Sequence, residues 1–226
     1  MAVPVEQQIK FISEIAPVAQ KAHKELGKVL PSVCIGMACC ECAYGTAGSV
    51  RHHSYLGHKV GSGKTATKYW SGKFFSSKTS EEYQVGVHTI IRDNFRAFDS
   101  MEQCVYNFYE LLNTSLYARV KADADYATQM EQIKLCGYMT SSTEVETVKR
   151  IIKTHNLTKY DLGNVTYFPQ LQESIIMGLK AVDADSSYEY RKRIALVNGI
   201  LDYKGRADQN MKMYNLLKDG LLIKPL

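Results

Sequence analysis

The chain has 226 residues, of which 45% are hydrophobic, and a formal net charge of +5. That length holds one ordinary domain plus a small second one, with enough apolar mass for a real core. The charge is not polarised, since residues 163–226 carry nine Lys/Arg against seven Asp/Glu, so no dedicated nucleic-acid surface is expected.

Residues 5–27 read as helical, with Ile9, Ile12, Ile15 and Ala19 near one face, Pro17 as a break or restart, and Gly27 as the stop. Pro31 suits the first turn of the next helix, which Gly45 ends. Residues 46–62, rich in Gly, Ser and His, read as loop. From 64 to 96 Thr, Tyr, Phe and Val dominate. Lys64–Trp70 and Lys73–Thr79 read as strands around a Ser71-Gly72 turn, and Gln84–Phe95 as another, making a small antiparallel sheet. Ser100-Met-Glu-Gln103 is a capping box opening a helix to about Leu112, and Thr143-Glu-Val-Glu146 is a second one, opening a helix to about His155. Thr114–Val120 and Tyr126–Cys136 are helical in texture. Gly163–Pro169 breaks the pattern. A short helical stretch at Leu171–Leu179 follows, then helices at Ser187–Val197, stopped by Asn198-Gly199, and at Ala207–Lys218, stopped by Gly220.

No apolar run reaches the length of a membrane span, and membrane insertion is not expected. The first residues show no basic segment followed by an apolar one, so no secretory leader is expected. Four of the six cysteines crowd into Cys34–Cys42. Adjacent helical residues diverge, so Cys39 and Cys40 are poor disulfide partners, and all six read as reduced, mostly buried thiols.

One carboxylate stands near the end of the small, apolar run Pro31–Gly45. On a helix, Cys34, Ala38, Glu41 and Gly45 share a face. Desolvation there raises the pKa of Glu41, the condition for a general acid that must hold its proton near neutral pH. The nearby Cys39, Cys40, Cys42, His52, His53 and His58 invite a zinc or a Cys/His hydrolase reading. Yet the spacing lacks a Cys-x-x-Cys pair and the thiols diverge around the helix, so no metal and no cofactor is expected. Gly61-Ser-Gly-Lys-Thr65 ends like a phosphate-binding loop, but His58 stands where its first glycine belongs.

A helical domain with one inserted sheet and a carboxylate ending a buried helix is a lysozyme-like arrangement. Five segments, Phe11-Ile-Ser-Glu-Ile-Ala-Pro-Val-Ala-Gln20, Leu30-Pro-Ser-Val33, Glu41-Cys-Ala-Tyr-Gly45, Phe95-Arg-Ala-Phe-Asp-Ser100 and Cys136-Gly-Tyr-Met-Thr140, occur in the order of the glucosaminidases of glycoside hydrolase family 73. The chain resembles that family over residues 5–161. The resemblance implies hydrolysis of the N-acetylglucosaminyl-β-1,4-N-acetylmuramyl bond of peptidoglycan glycan strands, with Glu41 as catalytic acid. It implies a second carboxylate in Thr79-Ser-Glu-Glu-Tyr83, with Glu82 the better fit and Glu81 the competitor, and a cleft role for Tyr138. Tyr44, Tyr55, Trp70 and Tyr83 are the aromatic candidates for substrate binding. A tyrosine the family usually carries after Gly-Tyr falls here near Glu144. Muramidase specificity on the same fold, or a non-catalytic wall-binding or virion protein, are the alternatives.

The segment Tyr188–Leu226 resembles short modules appended to wall hydrolases of Gram-positive bacteria and their phages, which implies a wall-associated anionic polymer as partner. The expected organisation is α+β: a mainly helical, lysozyme-like catalytic domain with a small β-hairpin lobe at 1–162, a linker with a short helix at 163–185, and an all-α module at 186–226. With no leader expected, a phage lysin held in the host cytoplasm before release, or carried on a virion, is the expected setting.

Overall fold

The computed structural model describes residues 2–61, 67–161, 167–198, 200, 202–220 and 222–225. The chain forms two compact units, Met1–Asp161 and Leu162–Leu226. Among the described residues, no helix is long and apolar enough to cross a membrane.

The first unit begins with α1, Val5–Leu26, which runs unbroken through Pro17. A proline inside a helix costs about 3 kcal/mol through a lost hydrogen bond and a steric clash. Here Pro17 is exposed, while Phe11, Ile12, Ile15, Ala16, Ala19 and Ala22 bury a continuous stripe that offsets the cost. Ile9 is left exposed.

Helix α2, Pro31–Glu41, is buried on all sides from Pro31 to Cys39. A helix apolar all round belongs in a core, and α2 is the axis of this one. It ends four residues before Gly45, because Ala43 and Tyr44 take the left-handed conformation at φ 47° and 53°. A Cβ on Gly36 would meet Ile152 Cγ1 at 2.7 Å, so only glycine allows so close an approach of the neighbouring helix. That neighbour is the later helix at Glu144–Thr154.

The sheet is a single antiparallel hairpin, β1 (Phe74–Gln84) with β2 (Val87–Arg96), in the register Phe74↔Arg96 through Glu81↔Thr89. The register breaks between Glu81 and Gln84. Of the strand expected at Lys64–Trp70, residues 64–66 and most of the Gly61–Thr65 loop lie outside the described residues. Thr67–Trp70 is a turn rather than a strand, and its Trp70 indole N–H donates to the Lys73 carbonyl at 2.7 Å.

Three helices complete the unit: α3 (Met101–Leu112), α4 (Tyr126–Leu135) and α5 (Glu144–Thr154). Ser100 caps α3 by accepting from the Gln103 amide, and Gln103 answers on the Asp99 amide. The second capping box does not form: Thr143 makes no cap bond, and Glu146 pairs with Lys149. Between α3 and α4 the expected helical stretch shrinks to a single 3-10 turn at Ser115–Tyr117.

The second unit holds α6 (Ile175–Ala181), α7 (Tyr188–Val197) and α8 (Ala207–Lys218). Its core is Phe168, Ile175, Leu179, Ile194, Ala195, Tyr203, Met213, Leu217 and Leu222. The stretch 163–185, read from sequence as a linker, therefore supplies three of its core residues. Gly178 lets α6 approach α8 so closely that a Cβ would lie 2.4 Å from Leu217. Gly199, read as the stop of α7, lies outside the described residues; the helix is closed by Asn198, whose side chain also exchanges hydrogen bonds with the Ile223 backbone.

Candidate active site

A cleft of ≈ 380 Å³ opens between the hairpin and the helices of the first unit. Its floor is the C-terminal end of α2, where Glu41 projects. Thr79, Ser80 and Glu81 of β1 form one wall, and the loop Gly137–Ser141 with Glu144 forms another.

Glu41 is only partly exposed. Gly57, at φ +62°, crosses so close that a Cβ would stand 2.6 Å from its Oε2. Burial first, then the facing carboxyl of Glu144, then Glu81, push the Glu41 carboxyl up to about 8. Such an acid still carries its proton at neutral pH, as general acid catalysis requires.

The second carboxylate on the cleft is Glu81, not Glu82. Glu81 accepts from Lys59 Nζ at 2.7 Å, from Thr140 Oγ1 at 2.9 Å and from Thr79 Oγ1 at 3.3 Å. Glu82 points the other way along the strand, as successive residues do. It accepts from the Gly86 amide at 2.7 Å, from the Ser142 amide, and from Ser142 Oγ at 2.8 Å. Those donors hold its carboxyl down to about 2. Glu82 thus ties the hairpin tip to the loop before α5. Sequence favoured Glu82 on motif position; both glutamates are buried and the register slips beside them, so periodicity alone does not separate them.

Tyr138 lines the cleft, with its hydroxyl donating to the Leu56 carbonyl at 2.8 Å and its ring against His58, Phe108 and Tyr117. His58 is buried, and desolvation drives its pKa down to about 3, so it is neutral. The aromatic candidates fall elsewhere. Tyr44 turns away with the left-handed bend and meets His155 Nε2 at 3.2 Å. Tyr55 is buried against Phe11 and His53. Tyr83 stands 70% exposed near the hairpin tip. Trp70 lies under the buried Arg96 guanidinium, 4.5 Å from ring centre, and supports that cleft residue from behind.

Sequence reasoning missed Lys59, Arg96, Tyr117 and Glu144 as cleft residues. A signal for Glu144 was present, because the tyrosine that the resemblance places after Gly-Tyr falls near it; the capping-box reading of 143–146 hid it.

All six cysteines are free thiols. Burial pushes Cys40 and Cys42 up to about 12, which leaves little thiolate at neutral pH for nucleophilic chemistry. Among the described residues, no group of three His, Cys, Asp or Glu side chains is placed to hold a metal ion.

A family profile described as mannosyl-glycoprotein endo-beta-N-acetylglucosaminidase matches residues 16–157. Among solved structures, a peptidoglycan hydrolase mutant from Sphingomonas sp. A1 is similar with a TM-score of 0.56 and 25% identity, over 67% of this chain and 97% of that one. The catalytic domain of the autolysin Auto from Listeria monocytogenes gives 0.55 and 22%, over 71% and 90%. An N-acetylmuramoyl-L-alanine amidase from Staphylococcus aureus gives 0.62 and 20%, over 72% of this chain and 45% of that chain. The last two are likenesses of fold. Among curated proteins, no relative matches the chain. The helical unit with its hairpin is a lysozyme-like fold.

Proposed function

The chain belongs to the glucosaminidase family and is a glycosidase, and from that premise we propose that it cleaves the β-1,4 bond between N-acetylglucosamine and N-acetylmuramic acid in peptidoglycan. The observation that carries this reading is Glu41, a carboxyl with a raised pKa at the floor of a cleft. Glu41 gives its proton to the glycosidic oxygen as the bond to the anomeric carbon breaks and positive charge grows on the sugar. Glu81 stands on the cleft wall and takes a proton from the attacking water as general base; attack by the substrate's own acetamido group is the alternative route. The peptidoglycan hydrolase from Sphingomonas sp. A1 supports the choice of polymer.

Glu41→Gln removes the proton without changing shape. It is expected to abolish the clearing of purified cell walls while the circular dichroism spectrum is unchanged. Wall clearing at the normal rate by this variant would end the assignment. Mass spectrometry of the products decides the bond: a reducing-end N-acetylglucosamine marks a glucosaminidase, and a reducing-end N-acetylmuramic acid a muramidase.

The second unit we read as a wall-binding module for carbohydrate or a wall-associated anionic polymer. Its helix α7 presents the exposed Tyr188, Lys192 and Arg193. Removing residues 162–226 is expected to weaken sedimentation with walls and to spare cleavage of soluble glycan. Undiminished sedimentation would refute the module's role.

A further inference from the structure

The cleft holds a third carboxyl, Glu144, that the acid and base roles leave unused. It is the first residue of α5 and faces Glu41, the last residue of α2. The two helices pack at the Gly36–Ile152 contact, where the spacing admits no Cβ. Their ends are therefore held in fixed relation. Oε1 of Glu144 is buried and no donor among the described residues satisfies it. Its neighbour Lys134 is engaged with the Ser141 carbonyl.

We propose that Glu144 is the positioning residue of the acid: its carboxyl accepts a hydrogen bond from protonated Glu41 and holds that proton in place until a glycosidic oxygen takes it. This rests on the acid role of Glu41. A buried carboxylate oxygen with no donor among the described residues is costly, and the Glu41 carboxyl facing it can supply the missing proton. Two carboxyls in contact cannot both ionise cheaply, so they share a proton across neutral pH.

Burial acts first on both groups and raises both. The charged and titratable groups facing the pair come from every side. They are Glu81 of β1, Lys59 of the preceding loop, Lys134 of α4, Cys40 of α2 and Cys42 just after it, with Arg150 of α5 beside Cys40 and Tyr138 beside Glu41. Lys59 favours ionisation of Glu41 and Lys134 that of Glu144, and Glu81 opposes both. Glu144 is the largest single charge acting on Glu41.

The test is the Glu144→Gln variant, which keeps the acceptor and removes the charge. The alkaline limb of its pH–rate profile is expected to move down by about one to two pH units. A rate reduced equally at every pH, with the limb in place, is the signature of a merely structural role and overturns the proposal. Titration of 13C-labelled glutamate carboxyls in the full chain needs neither substrate nor variant. In the wild-type protein, the Glu41 and Glu144 signals are expected each to report both steps of one shared titration. Two independent single-step curves overturn the proposal. If the protein cleaves no glycan, the functional reading fails, and the carboxyl titration still decides the pairing.

Discussion

The backbone of Gly57 lies against the carboxyl of Glu41, with room for a hydrogen and not for a methyl group: an added Cβ would stand 2.6 Å from Oε2 and 2.9 Å from the carboxyl carbon. A loop glycine thus sets the position of the acid from the side opposite its own helix.

Gly57→Ala is expected to cost about 1–2 kcal/mol of stability through its positive φ and to displace Glu41 as well. Gly72 is the control, since it also has positive φ, at +87°, and an added Cβ there meets nothing within 4 Å. Both variants should lose the backbone contribution in denaturant unfolding, and Gly57→Ala more, through its clash with Glu41. Only Gly57→Ala should lose activity, by about tenfold or more, because a shift near 1 Å at a reacting group can cost 10²-fold. Equal activities would show that Gly57 does not position the acid.

Glu81→Gln is expected to lower kcat by about 10²–10⁴-fold, the usual worth of a general base, with the fold intact. Glu82→Gln should leave kcat within about tenfold and should lower stability at pH 7. The carboxyl of Glu82 is held at about 2 by its donors, so its stabilising contribution is present above the ordinary carboxylate value and fades as pH falls through about 2. The stability gap between wild type and Glu82→Gln should therefore close on acidification. A reversed pattern of rates would exchange the roles of the two residues.

Glu41 has the opposite sign. Its pKa is raised in the fold, so the native state binds a proton that the unfolded chain has released. Stability is full below the ordinary carboxylate value near 4.5 and declines as pH rises through about 8. Glu41→Gln keeps the neutral shape at every pH, and its unfolding midpoint should exceed that of the wild type at pH 9 and match it at pH 5. Parallel pH curves for the two proteins would contradict the buried, protonated state.

Tyr44→Phe should keep normal activity within about twofold. Its hydroxyl reaches His155, outside the cleft, so the loss is confined to one partly buried hydrogen bond worth about 1 kcal/mol. A collapse of activity would place Tyr44 back among the substrate contacts.

Helix α2 was legible because nine consecutive buried residues leave only one place for such a segment, and Glu41 because a lone carboxylate stands out there. Strand texture was legible from Lys73 onward, but the turn expected at Ser71-Gly72 lies instead at Val85-Gly86, and the aromatic and Thr texture of Thr67–Trp70 serves a turn and a platform for Arg96. The substrate aromatics were the least legible part. Tyr44 depends on two left-handed residues that no periodic pattern announces, and Tyr55 on tertiary packing against α1. Glu81 and Glu82 are neighbours that both bury, and only the donors around each one tell them apart.

The grip of Glu82 on Ser142 has a mechanical meaning. Ser142 stands two residues before Glu144, and Thr140 in the same segment holds Glu81. Through these bonds the hairpin tip and the segment before α5 are tied together. One short segment thus anchors three carboxyls, and whatever displaces it disturbs the acid, its facing partner and the opposite wall together.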